Sequence, residues 1–235
     1  MFKYLITNGT NDIGSYLLSF LLTLPIILLS LSLHETAHGW MAAKLGDPTA
    51  KNLGRLTLDP FKHLNLPGLI CMLLFGFGWA TPVPVNSRYF KKPRRDMALT
   101  AAAGPASNIC LGFIFVALYQ LSVLLASKLL PSSASTQVVY IVATWLIFLQ
   151  MGAQLNVSLA VFNLLPVPPL DGSRLFYVFL PSKWYFGVMK YEKYITIAIF
   201  VLLYLGILST PLSWLADLIL DGMYGLWGLL FGLFM

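Results

Sequence analysis

Leu21-Leu22-Thr23-Leu24-Pro25-Ile26-Ile27-Leu28-Leu29-Ser30-Leu31-Ser32-Leu33-His34-Glu35-Thr36-Ala37-His38 is an apolar run that ends in three ionisable side chains within five residues. Such groups cost several kcal/mol each in hydrocarbon, so an ordinary membrane helix avoids them. Something must compensate for them here, and a bound metal ion is the simplest candidate.

The remainder of the chain shares the apolar character. Of 235 residues, 58% are hydrophobic and 10% charged, and the mean hydropathy is +0.78. Soluble domains carry roughly 25% charged residues. The composition therefore predicts an all-α integral membrane protein, a multi-span helical bundle forming one polytopic domain over residues 1–235. The N-terminal stretch is not expected to be a cleavable signal peptide, since Asn8-Gly9-Thr10-Asn11-Asp12 interrupts it before the first long apolar run. Cys71 and Cys110 lie in apolar surroundings without metal-type spacing and read as small buried hydrophobes. The net charge of +6 is read as basic cytoplasmic loops rather than as a nucleic-acid surface.

Spanning segments are predicted at about 14–43, 97–126, 138–164 and 194–210, followed by an apolar or amphipathic helix at 211–235 that either spans or lies on the surface. Asp217 and Asp221, four residues apart, share a face there and read as solvated. Residues 67–86 are apolar but broken by Pro67, Gly68, Gly76, Gly78, Pro82 and Pro84. Basic residues flank them on both sides: Lys44, Lys51, Arg55 and Lys62 before, Arg88, Lys91, Lys92, Arg94 and Arg95 after. If positive loops stay inside, this segment enters and leaves by one face. It is too interrupted for the roughly 20 residues a span needs. A re-entrant, membrane-embedded hairpin buried in protein is expected, with an interfacial pair of short helices as the alternative. The same rule brings His34 and His38, the Gly104–Asn108 stretch and the Asn163–Asp171 stretch toward the cytoplasmic side, at similar depth.

On a helix, positions 34 and 38 differ by about 400°, so they lie roughly 40° apart on one face and about 6 Å apart along the axis. Two imidazoles can meet one zinc ion, and Glu35 is placed to reach a water on it, the His-Glu-x-x-His logic of zinc peptidases. A catalytic zinc needs a third protein ligand. Asp171, after the proline-rich Pro166-Val167-Pro168-Pro169-Leu170, can be turned back to supply it, but Asp-Gly is also an ordinary turn pair. His63 is the rival ligand, with a solvated loop histidine as the default reading.

Taken together, His34-Glu35-x-x-His38, Gly46-Asp47-Pro48-Thr49, Gly54-Arg55-Leu56-Thr57-Leu58-Asp59-Pro60, Pro82-Val83-Pro84-Val85-Asn86, Gly104-Pro105-Ala106-Ser107-Asn108 and the Asn163-to-Gly172 run resemble, in order over roughly residues 15–210, the site-2 protease family of intramembrane zinc metalloproteases. The resemblance implies one zinc per chain held by His34, His38 and Asp171, with Glu35 activating water, and a membrane-embedded hairpin near the active site. It is to a compact member, without a PDZ insertion or a C-terminal regulatory domain. Asn163 either donates to the oxyanion or caps its own helix end. Asn108 reads as a packing residue. The implied substrates are transmembrane proteins or peptides in the lipid bilayer of a bacterial or archaeal cell membrane. The active site would face the cytoplasmic side. An unwound substrate is expected to pair with the chain at 80–86, where Val83, Val85 and Asn86 are the candidate contacts. Two other readings remain: an ion or zinc transporter using the same His and Asp groups, and a catalytically silent binder of membrane helices. Substrate identity, gating and oligomeric state are not legible in the sequence.

Overall fold

The computed structural model describes residues 13–75, 78–131, 133–179 and 187–232. Among the described residues the α-helices of six residues or more are, in order, α1 Ile13–Lys44, α2 Leu66–Phe75, α3 Pro93–Leu129, α4 Thr136–Asn163, α5 Asp171–Phe176, α6 Glu192–Tyr204 and α7 Ser209–Gly232. No strand occurs among the described residues. Among the described residues, four helical stretches are long and apolar enough to cross a membrane: Phe20–Lys44, Pro93–Leu129, Thr136–Asn163 and Ser209–Gly232. The chain is an all-α, multi-pass membrane protein.

The fourth of these differs from expectation. The predicted span at 194–210 is the 13-residue α6, about 20 Å long and short of a hydrocarbon core of about 30 Å. The left-handed Gly206 then breaks the chain, and α7 supplies the length instead. Ala216, Leu220 and Met223 recur at helical spacing, which puts them on the bundle core with Ile26, Phe115, Val116, Leu149, Ala153 and Val157. Asp217 and Asp221 face outward, Asp217 meeting only the Gln154 amide at 3.4 Å.

The helix ends explain how the site is framed. α1 stops at a glycine: Gly46 has φ +110°, Asp47 N–H bonds the Ala42 carbonyl and Gly46 N–H the Ala43 carbonyl, a Schellman closure. α3 starts at Pro93, which needs no N–H partner, and Asp96 reaches back to accept from the Lys92 N–H at 2.9 Å. α1 and α3 run antiparallel, because His38 meets Thr100 while His34 lies against Gly104.

The 67–86 segment goes out as helix and returns as extended chain. α2 is only 10 residues long, about 15 Å, half of what a span needs. The return arm passes so close that a Cβ on Gly68 would sit 2.1 Å from the Trp79 carbonyl oxygen, and one on Gly78 2.2 Å from that of Gly68. Both positions require glycine for this approach. Residues 76–77 lie outside the described residues. His63 corrects a default: it is buried, its Nε2 bonding the Thr57 carbonyl at 2.8 Å. The cause is that the return arm folds over it, with Thr81 N–H on the His63 carbonyl and the Thr81 hydroxyl on the Leu64 carbonyl.

Candidate metal centre

α1 places His34 and His38 one turn apart on the face turned to α3, both buried. The prolines after α4 bring the chain back so that Asp171 opens α5 at the same level. Gly172 makes this return possible, since a Cβ there would lie 2.3 Å from the Leu164 and Leu165 carbonyl oxygens. The result is a near-equilateral triangle of ligand atoms. His34 Nε2 and His38 Nε2 are 3.0 Å apart, and each is 3.1 Å from Asp171 Oδ2. This is the only group of three possible metal-ligating side chains among the described residues. Asp171 lies with the two histidines in this group, and His63 does not.

Three features test whether this set fits zinc. Two imidazole nitrogens and one carboxylate oxygen match the donor set of catalytic zinc, and bonds of about 2.05 Å in tetrahedral geometry separate ligands by about 3.3 Å, a few tenths beyond the sides seen here. His38 Nδ1 donates to the Thr100 carbonyl at 2.7 Å, which leaves the Nε2 lone pair pointing into the triangle. Gly104 forms the floor: a Cβ there would stand 2.3 Å from His38 Nε2 and 2.6 Å from His34 Nε2. The set fits the metal.

The Glu35 carboxylate meets the return arm. Its Oε2 accepts from the Val83 N–H at 2.8 Å. The arm itself is fixed at four further points. Arg55 Nη2 donates to the Thr81 carbonyl at 2.7 Å. Thr81 is tied to His63 and Leu64 as above. Asn86 N–H donates to Asp47 Oδ2 at 2.6 Å. Asp47, wholly buried, also accepts from the Thr49 N–H and hydroxyl. Of the three proposed pairing residues, then, Val83 and Asn86 have their N–H groups engaged within the protein, and the Asn86 side chain accepts from Arg88 N–H. Val85 N–H bonds nothing among the described residues.

Asn163 donates its amide to the Leu159 carbonyl at 3.0 Å, one turn back on its own helix. Asn108, one turn beyond Gly104 on α3, is wholly buried with neither amide atom bonded, and His34 Nδ1 is likewise unpartnered. Sequence reasoning missed Gly104 as a wall of the site, Thr100 as the carbonyl orienting His38, and Asp47 as the anchor of the return arm. Only Asp47 had a local signal, an Asp-Pro-Thr turn directly after a helix-ending glycine.

The sequence model of peptidase family M50 matches residues 22–208. The "Putative zinc metalloprotease YwhC" of Bacillus subtilis is 41% identical over 188 residues, 80% of this chain and 82% of that protein. Two proteins named "Putative zinc metalloprotease Rip2" are also similar. That of Mycolicibacterium smegmatis is 33% identical over 67% of this chain, and that of Mycobacterium tuberculosis H37Rv 32% identical over 65%. The chain spans 57% and 55% of the length of these two. No solved structure matches the chain.

Proposed function

The chain belongs to peptidase family M50 and is a metalloendopeptidase, and from that premise we propose that it hydrolyses peptide bonds within or near transmembrane segments of membrane-protein substrates. One zinc ion is held by His34, His38 and Asp171, and Glu35 is the general base. The observation that carries this reading is the triangle of Nε2, Nε2 and Oδ2 atoms, built from stretches up to 137 residues apart, with Glu35 next to His34 in the chain.

Zinc bound there supplies a Lewis acid that acidifies water and polarises the scissile carbonyl. The chain's own groups do the rest. Glu35 takes a proton from the attacking water and returns it to the leaving amine. Thr100, through His38 Nδ1, keeps one imidazole in the tautomer that presents Nε2. Gly104 keeps the floor of the site free of side chain. The return arm at 80–86 receives the substrate as an unwound strand, because peptide bonds within a helix are shielded and already hydrogen-bonded. Helix-breaking residues near the scissile bond should therefore raise cleavage, and equal cutting of tightly helical substrates would count against strand pairing. The basic loops at 44–66 and 87–96 lie at the same end of α1 and α3 as the triangle, which supports an active site on the cytoplasmic side.

Zinc analysis of the purified protein, wild type beside Asp171→Ala, tests the centre without a known substrate. We expect about one zinc per chain in the wild type and a clear loss in the variant. Chelation should abolish cleavage of a reconstituted transmembrane peptide, and added zinc should restore it. A folded wild type that took up no zinc on reconstitution would remove the basis of this reading.

A further inference from the structure

The return arm touches α1 through one polar contact, Val83 N–H to Glu35 Oε2 at 2.8 Å. A backbone amide is rigidly placed only if its chain is, and this one is held on both sides. Arg55 and the His63 and Leu64 carbonyls fix Thr81, and buried Asp47 fixes Asn86. The Val83 side chain is 8% exposed and packs where α1 has no side chain of its own. A Cβ on Gly39, one turn beyond Glu35, would lie 3.0 Å from Val83 Cγ1. Glu35 and Gly39 thus form a strip of α1 against which Val83 is seated. The neighbouring prolines limit what else the arm can do. Pro82 and Pro84 carry no N–H, so their edge cannot pair as a strand. Residues two apart in extended chain turn their N–H and C=O groups to the same edge, so Val83 and Val85 share the edge facing α1.

We propose that the Val83 main-chain N–H is a positioning group for the Glu35 carboxylate, and that Val85, not Val83, supplies the N–H that pairs with substrate. This rests on the metalloprotease reading and deepens it. The arm then does two things with alternate residues of one edge. Val83 fixes where the base sits, while Val85 and the Val83 and Val85 carbonyls remain for the substrate strand. A hydrogen bond to a carboxylate is among the stronger ones, so its loss leaves the base to wander among rotamers.

Val83→Pro isolates the N–H. Val83 precedes Pro84 and is already kept out of the helical region, and the substitution deletes the donor. Val83→Ala keeps the donor and reports the packing loss alone. The readouts are kcat and KM for a reconstituted transmembrane peptide, zinc content, and binding of that peptide to the same variants in a Glu35→Gln background, where the bound peptide should not be turned over. We expect Val83→Pro to keep its zinc, lose about tenfold to a hundredfold in kcat as part of the 10²–10⁴ a general base provides, and change KM and peptide binding by less than about threefold. Val83→Ala should recover most of that kcat. Val85→Pro should do the reverse, weakening peptide binding by about tenfold or more. Val83→Pro with unchanged kcat, or with peptide binding lost as in Val85→Pro, would overturn the assignment. If Val83→Pro fails to hold zinc, Gly39→Ala is the second test. Its methyl would crowd Val83 together with Leu56 and Ala50, and by shifting the arm from Glu35 it should lower kcat without raising KM; a raised KM with normal kcat would overturn the proposal. A wild type that binds zinc but cleaves nothing would instead be a failure of the protease reading.

Discussion

Gly104→Ala is expected to empty the metal centre. The added methyl carbon would fall 2.3 Å from His38 Nε2, 2.5 Å from His38 Cε1 and 2.6 Å from His34 Nε2, well inside van der Waals contact. Nothing there yields cheaply. The atoms it meets are the donors themselves, His38 is held by Thr100, and both rings are buried. Either the imidazoles leave the triangle or α3 withdraws from α1, and both outcomes separate the ligands. Disturbing groups that merely orient zinc ligands costs roughly 10–100-fold in affinity, and here the ligands move, so a loss of at least about a hundredfold is expected. The substitution is not intrinsically hostile to the fold, because alanine is favoured over glycine in a helix by about 1 kcal/mol. Gly112→Ala is the control. Its Cβ would meet Val157 Cγ2 at 2.9 Å, a side-chain terminus two turns from the site, and zinc should stay bound. Metal content after dialysis reads the difference. A Gly104→Ala protein that held zinc as tightly as the wild type would mean that the triangle is not the metal site.

Gly104 also marks where sequence reasoning stops. The all-α, multi-span class was legible because hydrocarbon imposes composition directly, and His34 and His38 were legible because a local helix brings positions four apart to one face. Asp171 was visible only as an even choice between ligand and turn. What decides it is the path of the chain after α4, closed by Gly172 against two carbonyl oxygens, a tertiary contact with no periodic signature. Gly104 was not legible as a wall of the site for the same reason, since nothing in a helix's own sequence says which neighbour its bare face admits. The exchange of roles between 194–210 and 211–235 has a different cause. Both are apolar, and only the left-handed turn at Gly206 decides which becomes the long helix. His63 looked solvated because its immediate neighbours are polar, while the arm that buries it lies 18 residues further on.

Glu35→Gln is expected to leave the zinc in place and reduce cleavage by about 10²–10⁴-fold, the usual contribution of a general base. The two effects separate cleanly because Glu35 is not one of the three ligand atoms of the triangle. Glutamine has the same shape and still offers a carbonyl oxygen to the Val83 N–H, so neither the arm nor α1 has reason to move. What it lacks is a carboxylate that can accept the proton of the attacking water. The variant therefore removes chemistry while keeping structure, and that separates the two functional classes an intramembrane His/Asp site admits. A transporter needs the ligands and a path but no proton acceptor beside them, so zinc flux into liposomes should survive the substitution. A peptidase needs the acceptor, so hydrolysis of a reconstituted transmembrane peptide should fall to near background while zinc stays at about one per chain. Cleavage persisting within tenfold of wild type would remove Glu35 from the chemistry. The loss should also not be rescued by more substrate, because the glutamine changes the rate of proton transfer and leaves the groups that hold the peptide, on the Val83–Val85 edge, as they were.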